Sequence, residues 1–474
     1  MYNTDDEYFD SEEFRDMLAT YEEAVNNGQP VFLDADELAE IADYYQMTGH
    51  TSEADEAITL ALSLSPGAVM PLVYKIHEAL YYGRTDEAEQ LLDQIIEKDS
   101  PDYVYAQGEI MLAKGQDAEA DAFFRDQFKT LSPSEYQDFI IDVANIMQDY
   151  GYAERAMKWM KKAKHEDSAE YKELMARTLL GLGKYNDSEK LWTELIDVNP
   201  FSKRYWNALA STQFMKEDYS NAVQSSEYAL AIDPEDPEGL VAKANSLYRL
   251  GNYEQALEFF HRYSEQVPDD EFALMNQGTC LVNLDRIDEA LVMLGKALTK
   301  APADSPYLAD IYQELAFAHS ENGDYDEALR WLDKTAELDC DHIQVMVVRG
   351  HILLADGRLE DAEVCFRDAV LGSDNPHQTL LRIIVSLYDN KYVEAAYTLF
   401  LKFFKVVPEG FSEGYAYMAL CCHDLKKWDE FLHYLKEACR LNPKECQLAL
   451  SHLFPEGVEP QDYYQFMIEK LRKE

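Results

Sequence analysis

The sequence predicts an all-α fold, a right-handed superhelix of about twelve helix-turn-helix repeats, and three observations carry that prediction. First, Pro200, Pro234, Pro268 and Pro302 recur at intervals of 34 residues, each after a helical stretch. A period of that length marks stacked supersecondary units rather than one globular core. Second, a small-residue series stands twelve positions before those prolines and extends both ways: Ala54, Ala88, Ala120, Ala156, Ser188, Ala222, Ala256, Ala290, Ala328, Ala362, Ala395 and, as its exception, Phe431. Third, a parallel series lies twelve positions earlier still: Ala42, Ile76, Gly108, Ala144, Ala176, Ala210, Ala244, Gly278, Ala316, Gly350 and Ala419, with Ile384 eleven before its mate.

The elements follow in chain order. Residues 1–34 read as an acidic lead-in and a capping helix near Ser11–Asn26, stopped by Asn27-Gly28. Residues 35–443 are the array. Within each repeat two helices cross where the small residues let their backbones approach. A turn such as Leu250-Gly251-Asn252-Tyr253 joins them, glycine supplying the left-handed conformation that ends the first helix and tyrosine opening the second. The period-end proline stops the second helix, because the residue before proline is pushed out of the α region. The step from Ala290 to Ala328 is 38 residues, which predicts a longer loop around Pro302–Pro306. Residues 444–474 read as two closing helices around Pro455–Pro460; a stacked array needs a polar cap over its last apolar face.

Trp206, Leu209, Ala210, Tyr219, Ala222, Ala229 and Pro234 fall at the spacing of the tetratricopeptide repeat, as do Ala244, Gly251, Tyr253, Ala256, Phe260 and Pro268. The chain therefore resembles the tetratricopeptide repeat family over about residues 35–443. That resemblance implies a concave wall built by the first helix of each repeat. On it stand Asn207, Ser211, Phe214, Asn245, Tyr248, Phe272, Asn276, Thr279, Gln313 and Phe317, the candidate partner-binding residues. Amides pair with a peptide backbone whatever its side chains, and aromatics supply apolar anchors. The family's two-carboxylate clamp for chaperone tails is not expected. Asn245 and Asn276 match its amides, but Val241, Asp310 and Glu314 occupy its cationic places.

Chemistry is sparse elsewhere. Gly181-Leu182-Gly183-Lys184 is followed by Tyr185 where a phosphate loop needs Ser or Thr, and it coincides with a helix–helix turn. Cys340-Asp341-His342 and Cys421-Cys422-His423 read as structural, and no catalytic residue, metal site or cofactor is expected. All seven cysteines lie after residue 279 in no framework pattern, and the N-terminus carries no secretory signal, which together predict reduced thiols in a cytoplasmic protein.

The net charge of −48 disfavours nucleic acid and membrane surfaces as partners. Residues 1–150 carry 34 acids and 7 bases, so the N-terminal third is expected to attract a basic partner segment. The function expected is a non-enzymatic scaffold for a protein or peptide partner; a regulatory or substrate-presenting subunit of an enzyme is the alternative, and self-association stays open.

Overall fold

The computed structural model describes residues 8–9, 11–164, 167–268, 270–408, 410–455 and 457–471. Met1–Glu7 of the acidic lead-in and Glu456 of the closing loop lie outside the described residues. Those described form 27 α-helices, one short 3-10 turn and no strand. After a first helix, Glu12–Asn26, capped by Ser11, come twelve antiparallel pairs from Ala35–Met47 with Thr51–Leu64 to Tyr415–Asp424 with Trp428–Leu441. Pro443–Leu450 and Pro460–Leu471 follow. The helices fall into two compact units, residues up to Lys216 and residues from Glu217 onward.

The two helices of a pair begin differently for a local reason. Eight of the twelve first helices are capped by short polar side chains: Asp34 accepts from the amides of Asp36 and Glu37, and Ser100, Ser168, Ser202, Asp236, Asp270, Asp341 and Asn375 act likewise. Second helices start straight out of a tight turn with no side-chain cap, because the turn itself consumes the free backbone groups. In all twelve turns one residue has φ between 56° and 80°. The next amide then reaches back to the first helix, as Asn252 does to the Leu247 carbonyl at 2.9 Å. Eight of these residues are glycine; Glu217, Asp285, Lys391 and Lys426 hold the same conformation without being glycine.

The predicted crossing points are the core. Ala42, Ala54, Ala144, Ala156, Ala244, Ala256, Ala316 and Ala328 are wholly buried. Sixteen residues after the small position of the first helix, the second helix inserts a large side chain, as Phe124 follows Gly108, Phe260 follows Ala244, Leu294 follows Gly278 and Phe366 follows Gly350. A Cβ built on Gly278 would lie 2.6 Å from Leu294 Cγ, so glycine there is the space the knob fills. One register expectation is corrected. Ala395 is exposed and Ala396 is buried, which places the crossing residue twelve after Ile384 and restores the regular spacing. The longer loop is present between Lys300 and Leu308, where buried Ser305 hydrogen-bonds Glu271 at 3.1 Å.

At the C-terminus, Leu450, Phe454, Tyr463 and Met467 are buried in one cluster with Phe431 and Leu435 of the last pair. All seven cysteines are free thiols, and Cys439 and Cys446 approach to 3.0 Å between the last pair and the helix after it.

Candidate functional site

In the second unit the first helices Pro237–Arg249, Glu271–Asn283, Leu308–Glu321 and His342–Ala355 stand side by side. A cavity of 590 Å³ opens on them, walled by Tyr248, Asn276, Thr279, Gln313, Glu314 and Phe317, with Asp339–Asp341 at its rim. Five of the ten candidate residues are thus brought to one place. Asn276 donates its amide N–H to the Phe272 carbonyl at 2.8 Å and Gln313 donates to the Ala309 carbonyl at 3.5 Å. Each amide therefore gives one N–H to its own helix and keeps the other, with its side-chain carbonyl, for a partner. Phe317 meets His351 edge-on at 6.0 Å. The Tyr248 hydroxyl is pushed up to about 12, by burial first and then by the Glu314 charge.

Glu314 is the residue that the candidate set lacks. Burial pushes its carboxyl up to about 7 against the lowering effect of Thr279, and the Asp310 charge adds to the rise. The sequence held a signal for it, since its two acids at positions cationic in the clamp marked that wall as anionic. Burial of one of them follows from neighbours in other repeats, which a linear reading does not supply.

The remaining candidates are placed differently. Asn245 is half-buried on the same wall. Phe272 packs against Tyr307 at 5.3 Å and Phe260 at 6.3 Å, so it joins successive repeats rather than facing a ligand. Asn207, Ser211 and Phe214 belong to the first unit; Asn207 is buried, Phe214 half-buried and Ser211 exposed.

A second cavity in the second unit, of 820 Å³, shares Phe317, Asp341 and Gln344 with the first and continues to Asp389 and Lys444. There Lys444 pairs with Glu217 at 3.0 Å, so this unit curls until the helix after its last pair reaches its own first turn. Asp389 is raised by burial, more than nearby Lys391 lowers it.

The first unit has its own concavity of 1210 Å³, lined among others by Asp43, Tyr74, His77, Glu109, Asp149, Arg177 and Arg204. Here the acids are met by bases. His77 Nε2 lies 2.7 Å from Glu109, Arg177 pairs with Asp149, and Arg204 pairs with the buried Glu173. Burial works against the His77 imidazolium, yet the Glu109 hydrogen bond and charge outweigh it and raise the pKa. Among the described residues no group of three His, Cys, Asp or Glu side chains could hold a metal ion, and no helix is long and apolar enough to cross a membrane.

Repeated antiparallel helix pairs, a small crossing residue in most helices and a left-handed turn between them define a helical repeat protein. Family models narrow the class. Two described as tetratricopeptide repeat match residues 174–237 and 308–338, and one described as anaphase-promoting complex, cyclosome, subunit 3 matches 215–297. The chain belongs to the tetratricopeptide repeat proteins. It is 24% identical to Protein FlbA of Caulobacter vibrioides over 222 residues, 46% of this chain and 37% of FlbA. To the DnaJ homolog subfamily C member 7 homolog of Schizosaccharomyces pombe it is 26% identical over 168 residues, 32% of this chain and 34% of that protein. The chain thus spans little more than a third of the length of these relatives. Among solved structures, a tetratricopeptide repeat protein from Parabacteroides merdae superposes with a TM-score of 0.45 and 17% identity, over 53% of this chain and 99% of that one. The anaphase-promoting complex hetero-tetramer Cut9–Hcn1 gives 0.36 and 14%, over 88% and 90%.

Proposed function

We propose that the chain is a non-catalytic interaction scaffold that holds an extended segment or helix of a protein partner on the concave wall of its second unit. The observation that supports this most is the convergence of Tyr248, Asn276, Thr279, Gln313 and Phe317 on one cavity. Two aromatic faces and two amide acceptors stand there on rigid helices, an arrangement suited to anchoring a chain in one register. The match of residues 215–297 to a model named for a subunit of a multiprotein complex favours a second form of the same reading, in which the partner is an enzyme subunit that the scaffold regulates or supplies with substrate.

The test is parallel affinity capture from the native host with the parent and with Asn276→Ala/Gln313→Ala, followed by mass spectrometry and titration of the purified partner. The double variant should keep its helical circular dichroism and lose roughly 1–3 kcal/mol of affinity, the range for acceptors removed from a buried contact. Equal affinity in a folded double variant would place binding on another surface. A change in the partner's catalytic rate on binding would select the regulatory form.

A further inference from the structure

We infer that the cavity at Glu314 seats one long cationic side chain, lysine or arginine, from the partner segment. The inference rests on the scaffold reading and names the chemistry that its cavity selects.

Glu314 stands half-buried in the cavity wall, where the loss of water raises its carboxyl. Among the described residues no Lys or Arg forms an ion pair with Glu314. No Lys or Arg lines its cavity, and two bases of the adjoining one are engaged elsewhere: Arg382 donates to the Gln344 side-chain carbonyl at 2.8 Å, and Arg249 lies over the Tyr219 ring at 5.1 Å. The Thr279 hydroxyl is within reach of the Glu314 carboxylate, but its single proton is also drawn to the Met275 carbonyl at 3.1 Å. A carboxylate drawn even partly out of water is favoured by an opposite charge brought to it.

The walls around it suit a cation. Asn276 and Gln313 offer side-chain carbonyl acceptors, each having given one of its two N–H donors to its own helix. Tyr248 and Phe317 line the same cavity and contribute aromatic surface, which attracts ammonium and guanidinium groups through its electron-rich faces. An anion would be repelled by Glu314 and by Asp310 in the same lining, and a neutral side chain would leave Glu314 uncompensated. With 590 Å³ available, a long side chain enters together with part of the backbone that carries it.

The test uses the full chain with fluorescein-labelled hexa-arginine and hexa-lysine as probes, and a hexa-glutamine peptide as the neutral control, followed by anisotropy at 150 mM salt. Because the whole protein is strongly negative, Glu314→Gln is compared with Glu254→Gln, an exposed acid outside the cavity whose loss changes the net charge equally. Glu314→Gln should weaken binding of at least one cationic probe about tenfold, the cost of a lost charge-assisted contact, and Glu254→Gln by less than about twofold. Equal weakening by the two variants, or none from Glu314→Gln, would overturn the inference, since the field alone would then account for binding. The two readings fail separately. If Asn276→Ala/Gln313→Ala weakens the captured partner while Glu314→Gln does not, the wall is the docking surface and the cationic anchor is wrong. If neither does, the wall itself is wrong.

Discussion

The two units treat the acids of their concave walls in opposite ways. In the first, the buried carboxylates Glu109, Asp121 and Glu173 each have a base: His77, Arg155 and Arg204. Asp121 also accepts from Trp159 Nε1 at 2.9 Å. The exception is Asp142, pushed up to about 6 by burial although Tyr105 donates to it. In the second unit, the half-buried Glu314 and the exposed Asp389 line the two cavities with no ion pair among the described residues. The first unit also closes all five of its complete turns on glycine, whereas Glu217, Asp285, Lys391 and Lys426 all fall from residue 217 onward. Net charge alone favours the N-terminal third as receptor for a basic segment. The pairing pattern favours the second unit, because a charge already neutralised by a neighbour gains little from a ligand.

The sharpest way to break that comparison is to remove an acid from each side. Asp121→Ala leaves the Trp159 N–H without its acceptor and Arg155 with Asp117 alone, and should cost the first unit about 2–4 kcal/mol. Hydrogen exchange resolved by peptide is the measurement, since stacked repeats need not unfold as one transition. Glu314→Gln should leave protection in the second unit unchanged or raised. Similar losses from both variants would erase the distinction between paired and unpaired acids.

A pH series sharpens it next. Glu314 has a pKa near 7 folded against an ordinary 4.5, so the unfolded chain releases this proton first as pH rises. The group therefore subtracts stability progressively between about pH 4.5 and 7, by on the order of 3 kcal/mol once the folded pKa is passed. Tyr248, Cys280 and Asp310 face it and do not supply a compensating positive charge. Melting the parent and Glu314→Gln at pH 5 and pH 7.5 should show the parent losing more; parallel losses would mean that Glu314 is solvated.

The smallest effect concerns the turns. A residue with a Cβ in the left-handed region carries about 1 kcal/mol of strain that glycine does not. Asp285→Gly and Lys391→Gly should each raise stability by up to about 1 kcal/mol, while Gly251→Ala should lower it by a similar amount. Denaturant midpoints of the three variants decide it, and a loss in both glycine variants would show that the side chains stabilise these turns.

The periodic part of this structure was legible because it is local. Proline ends a helix, glycine turns a chain and alanine admits a neighbour through contacts made within one repeat. Ala395 misled because Ala395 and Ala396 are adjacent and identical, and only the buried face of the helix distinguishes them. The site was half legible. Helix position put Tyr248, Asn276, Thr279, Gln313 and Phe317 on one wall, but whether a wall residue is open depends on the repeats either side. Phe272 is held by Tyr307, which sits in the lengthened loop, and Asn207 is buried, neither of which its own repeat announces. Glu314 was visible as an acid, and its seclusion came only from the stack.

The packing of Gly108 with Phe124, Gly278 with Leu294 and Gly350 with Phe366 satisfies itself inside each repeat. A repeat copied or deleted whole would leave every surviving crossing correctly filled, so such chains lengthen and shorten without violating their own rule. An alignment displaced by one period again sets small on small and large on large. Two chains that obey this grammar of helix crossing therefore align at low identity whatever they bind. Descent of a shared partner would be written in the residues that this grammar leaves free, those facing the cavity, where neither Glu314 nor Gln313 is dictated by any crossing.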